Sequence, residues 1–142
     1  RALCRLDSAN SQTYQQNLAR FCRSNELLDD SLHRALKPLR HRSFIIHHPA
    51  LGYLARRYGL RQIAVEHDGK EPSAARIRQI ISRARAEGVT TVFISKEHTG
   101  RAARQIAEAI GARVVEINPL DYDVPRQLRL ITDALTQTAA PR

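Results

Sequence analysis

In the stretch SFIIHHPALGYLARRYGL, residues 43–60, two histidines sit where an apolar run stops and a new segment begins. A neutral imidazole is the commonest side-chain ligand of transition metals, and its ordinary pKa lies close to neutrality. His47 and His48 therefore admit two chemistries, metal ligation and proton transfer. Either one needs a second group. Oxygen from Glu97, Asn118 or Asp121 would complete a mixed nitrogen and oxygen shell of the kind zinc and manganese accept. Glu97 or Asp121 beside His48 would instead make an acid–base pair. Other chemistries lack their signatures. No GxGxxG follows a strand, and there is no GxxxxGK[ST] or GxSxG. Neither Cys4 nor Cys22 falls near a segment that could support a Cys–His nucleophile.

The elements that must position these residues follow from periodicity. Between Ser11 and Pro38, apolar residues recur mostly at three- and four-residue steps (Tyr14, Leu18, Phe21, Leu28, Leu32, Leu36), which predicts one long helix. SFIIH (43–47), QIAVE (62–66), TTVFIS (90–95) and ARVVEI (112–117) read as four buried strands. Helices are expected between them: 49–58 with Pro49 in its first turn, one capped by Ser73 and ended by Gly88, one from Thr99 to Gly111, and a last one from Pro125 to about residue 138. The alternation predicts an α/β fold, a four-stranded parallel sheet with helices on both faces plus the long N-terminal helix. In such sheets ligands bind at the C-terminal edge of the strands. His47, His48, Glu66 to Asp68, Ser95 to His98 and Asn118 to Asp123 all leave strands there.

The bulk composition narrows the partners. The chain has 142 residues, one domain's worth, with a formal charge of +9 from 23 Lys and Arg against 14 Asp and Glu. The basic residues are spread along the chain, and the densest run, RALKPLRHR (34–42), has no interleaved aromatic side chain. A single-strand nucleic-acid groove needs such aromatics, so no nucleic-acid partner is expected. No segment is long and apolar enough to span a membrane. The two cysteines lack metal-site spacing and stay open between a disulfide and two buried thiols.

Several segments, taken in order, resemble the zinc- and manganese-binding periplasmic solute-binding proteins of ABC transporters. LDSANSQTYQQNL (6–18) is similar to that family's DP-x-N-x-x-x-Y-x-x-N. HPALGYLARRYGL (48–60) resembles its H-D-A-[YF]-G-Y-F-x-x-x-Y-G-L, and EPS (71–73) its EPS. VFISKEHTGRAARQIAEAIGARVVEINPL (92–120) is similar to its F-x-[EQ]-P-Q segment, the helix that follows and the closing [DN]-P-L. The resemblance covers nearly the whole chain. It implies a bilobed receptor that holds a metal between two lobes, of which residues 1–40 would be the end of a preceding helix and the connecting helix, and residues 41–142 the C-terminal lobe. The N-terminal lobe with its histidines has no counterpart here. On this resemblance His48 is the second-lobe histidine ligand and Asn118 stands where many members carry an aspartate ligand. Glu97 is an alternative oxygen donor, and His47 has no ligand counterpart. Pro49 replaces the usual aspartate. The implied function is capture of zinc or manganese outside the cytoplasmic membrane and delivery to an ABC-transporter permease, with no enzymatic step. Two other readings remain: a stand-alone domain that docks a partner through the same face, and a small enzyme using His48 with a carboxylate.

Overall fold

The structure is a computed structural model and describes residues 1–66, 71–96 and 100–137. It resolves into two compact units, Arg1–Arg34 and Ala35–Arg142. The first holds α1 (Ala2–Leu6), a 3-10 turn (Ser8–Asn10) and most of α2 (Ser11–Leu36). One carboxylate organises its turn. Asp7 accepts hydrogen bonds from the Asn10 side chain at 2.9 Å and from the Tyr14 hydroxyl at 2.7 Å. The Tyr14 bond, then Asn10, holds the Asp7 carboxyl below its usual range and lifts the Tyr14 hydroxyl above its own. Asp7, Asn10 and Tyr14 thus tie the turn after α1 to the first turn of α2. Both cysteines are free; Cys22 is exposed, so the expectation of two buried thiols fails there.

The second unit carries β1 (Ser43–Ile46), α3 (Gly52–Arg57), β2 (Arg61–Ala64), α4 (Ala74–Ala86), β3 (Thr91–Ser95), α5 (Arg101–Ile110), β4 (Arg113–Ile117) and α6 (Val124–Thr136). The four strands form one parallel sheet in the order β2-β1-β3-β4. The α/β expectation holds. The strands read as continuous apolar runs because both faces are covered. Ile45, Ile63, Val92 and Ile94 face α4 and α5. Phe44, Ile46, Phe93 and Ile117 face α3, α6 and Leu36 at the end of α2. Phe44 and Phe93 meet edge-to-face across the β1–β3 pair, with centroids 5.5 Å apart, an arrangement that the ring quadrupoles favour.

Part of the positive charge has a structural job at the N-terminal edge of the sheet, where helices end and their last carbonyls lack partners. Arg42 donates to the Tyr58 and Gly59 carbonyls at 2.6 and 2.8 Å and more weakly to those of Leu36 and Leu39. Arg85 donates to Ala109 O at 2.7 Å, and Arg113 to the carbonyls of Ala134 and Gln137. Guanidinium forks close the ends of α2, α3, α5 and α6, where they also meet the negative end of each helix dipole.

Candidate metal centre

The chain runs from β1 to β2 on one side, then crosses to β3 on the other. The switch point therefore lies between the C-terminal ends of β1 and β3, the place where α/β sheets bind ligands. His47 and His48 leave the sheet there. His47 extends the ladder: its N–H donates to Phe93 O at 3.0 Å and its carbonyl accepts from Glu66 N–H at 3.0 Å. Its side chain is buried. One residue on, the strand period turns His48 outward, and its side chain is 53% exposed. Ala50 N–H donates to His48 O at 2.7 Å, a tight turn that takes Pro49 out of the helix expected to begin there. The helix α3 starts only at Gly52, and Gln62 Oε1 on β2 holds the connection by accepting from Leu51 N–H at 2.9 Å. Tyr53, in the first turn of α3, is 89% exposed.

The structure brings a carboxylate to the histidines. Glu66, just past β2, lies 3.3 Å from His48 Nδ1 and 3.9 Å from His47 Nε2 through the same oxygen, Oε2. In the sequence Glu66 is one of several residues expected at this edge and is not among the candidate ligands. The signal that finds it is strand order, since β2 must lie beside β1 for the two strand ends to meet.

At the end of β4, Asn118 and Asp121 form a second group. Asn118 Oδ1 accepts from Leu120 N–H at 3.2 Å, and Asn118 N–H donates to Gln127 Oε1 at 3.1 Å. Asp121 accepts from Asp123 N–H at 2.9 Å and from Gln127 Nε2 at 3.1 Å. Both side chains shape the loop that enters α6, whose first turn Asp123 caps. Glu97 lies outside the described residues. Among the described residues, no three His, Cys, Asp or Glu side chains are arranged so that they could hold a metal ion together. One imidazole backed by one carboxylate supplies a single ligand, whereas closed zinc sites use four.

The profile of the family described as "Zinc-uptake complex component A periplasmic" matches residues 1–137. The chain belongs to this family. It is 28% identical over 117 residues to the "High-affinity zinc uptake system protein ZnuA" of Bacillus subtilis, a match covering 81% of this chain and 37% of that protein. Among solved structures it resembles a ZnuA crystal structure at a TM-score of 0.89 and 36% identity, over 95% of this chain and 53% of the other. A zinc-bound ZnuA deletion mutant matches at a TM-score of 0.87 and 37% identity, over 99% and 55%. This family member thus spans about half the length of those solved relatives and 37% of the curated one. The sheet and its helices are one lobe of a solute-binding protein. No helix among the described residues is long and apolar enough to cross a membrane.

Proposed function

We propose that this chain is the C-terminal lobe, with its connecting helix, of an extracytoplasmic receptor that captures a divalent metal and hands it to an ABC-transporter permease. Residues 1–40 would supply the end of a preceding helix and the connector, and residues 41–142 the lobe. The observation that carries this reading is His48, exposed at the switch point and backed by Glu66, in a chain of the zinc-uptake family. His48 would give nitrogen, and Asn118 or Glu97 oxygen; a lobe outside this chain would give the remaining ligands. Asp121 and His47 would support the loop and strand end instead of touching the ion. Tyr53, Leu120 and Tyr122 stand exposed on segments that leave the same sheet edge, as surfaces that a closing lobe covers do.

The cargo is zinc before manganese. The relatives' names say zinc, and an amide at Asn118 is a poorer donor than a carboxylate for the harder manganese ion. The ion is bound and released with no bond made or broken in a substrate. Calorimetric titration of the protein joined to the lobe its relatives carry tests the reading. Zinc should bind below micromolar. His48→Ala should weaken it by more than about 100-fold, because losing a ligand costs more than losing a group behind one. A protein that takes up neither zinc nor manganese would overturn the proposal.

A further inference from the structure

We infer that Glu66 is the positioning residue for His48: it holds the imidazole with its proton on Nδ1 and so presents Nε2 as the metal-binding nitrogen. This rests on the receptor reading above. The backbone fixes the pair first. Beyond β2 the parallel ladder continues, with Val65 N–H donating to Ile46 O at 2.9 Å and Glu66 N–H to His47 O at 3.0 Å. Glu66 is therefore locked beside the end of β1, and its reach to His48 does not depend on a loop. Burial comes second. The Glu66 side chain is only 14% exposed, whereas that of His48 is 53% exposed. A carboxylate withdrawn from water needs donors, and both contacts described for its Oε2 are ring nitrogens, of His48 at 3.3 Å and His47 at 3.9 Å. The less exposed group is the support, and the more exposed ring is what reaches a ligand.

Tautomer chemistry completes the argument. A neutral imidazole has one N–H and one lone pair. An ionised carboxylate only accepts, so the nitrogen facing it carries the proton and the lone pair goes to Nε2. The carboxylate also fixes the orientation of the ring. It adds a negative charge close to the site in a chain that has an amide at Asn118, where the family pattern often has aspartate. His47, which has no ligand counterpart, gains a role: its buried ring lies 3.9 Å from the same Glu66 oxygen.

Two variants separate the effects. Glu66→Gln keeps an acceptor oxygen and loses the charge; Glu66→Ala loses both. Nitrogen-15 NMR of the zinc-free 142-residue chain reads the tautomer directly. Wild type and Glu66→Gln should show the His48 proton on Nδ1, and Glu66→Ala should shift it toward Nε2. In the protein joined to the first lobe, zinc affinity should fall about 10-fold for Glu66→Gln and about 100-fold for Glu66→Ala. If Glu66→Ala does not fold, the wild-type tautomer and the Glu66→Gln affinity still decide. A wild-type His48 with its proton on Nε2, or Glu66 variants with wild-type zinc affinity, would overturn this inference and leave the receptor reading standing. A wild type that binds no zinc would overturn the receptor reading, and this inference with it.

Discussion

Two glutamates at opposite edges of one sheet illustrate how surroundings set what a side chain does. Glu66 meets only imidazoles in the side-chain contacts described for it, at the edge proposed for the metal. Glu87, at the end of α4, accepts from Arg83 Nε at 2.8 Å and from Arg61 Nη1 at 3.2 Å, and from the Ser43 hydroxyl. The Arg83 bond first, then Ser43, holds its carboxyl down to about 2. Glu87 ties the starts of β1 and β2 to the end of α4. A carboxyl whose folded pKa is depressed stabilises the fold above its unfolded pKa and loses that contribution as the pH falls through the folded value. Stability from Glu87 should thus be complete above about pH 5 and decline toward pH 2. Both arginines are about half or more exposed, so screening limits the effect to about 1 kcal/mol. Glu87→Gln should lower stability at pH 7 by that amount and flatten the fall between pH 5 and pH 2, read by urea unfolding at each pH. Parallel pH profiles for variant and wild type would remove Glu87 from the acid response.

At the scale of elements, the end of α3 and the approach to β1 depend on one side chain. Arg42 reaches four carbonyls near the ends of α2 and α3. Charged hydrogen bonds contribute about 1.5–3 kcal/mol each where desolvated and less near solvent. Arg42→Ala should cost about 2–3 kcal/mol by chemical denaturation. Arg42→Lys should recover less than half, because an ammonium cannot serve several carbonyls with a fixed fork. A full rescue by lysine would show that only the charge matters. The strands were legible in the sequence because burial on both faces leaves FII and TVFI uninterrupted, and Ser73 and Gly88 marked the ends of α4 as their chemistry requires. The start of α3 was not, because the turn at His48–Ala50 uses the proline that a helix would also accept. The role of Arg42 was hidden for another reason: its carbonyl partners lie as many as 17 residues away, a distance no local period encodes. The place of His48 just past the end of a strand was legible from the apolar run before it. Glu66 needed the order of the strands, and that order is a tertiary fact.

For the molecule as a whole, the first unit leaves a question that the lobe does not answer. The stripe that predicted α2 is buried at Leu28, Leu32 and Leu36, but Leu18 and Phe21 are 56% and 66% exposed. Single exposed apolar residues are ordinary. These two lie three residues apart on one helix face, and Leu3 and Leu6 of α1 are exposed as well. The solved relatives are longer chains, and the part of them that lies outside this match is the expected cover. The double substitution Leu18→Ser and Phe21→Ser tests that cover. In the 142-residue chain the pair should change stability by no more than about 0.5 kcal/mol, as surface substitutions do, and should reduce self-association seen by light scattering. In the protein joined to the first lobe the same pair should cost about 2–4 kcal/mol, the scale of buried large-to-small changes. Equal small effects in both contexts would mean that the face stays in water in the complete receptor. A large cost in the 142-residue chain alone would mean that Leu18 and Phe21 already support its fold. A cost confined to the longer protein would identify the N-terminal half of α2 as the seat of the first lobe.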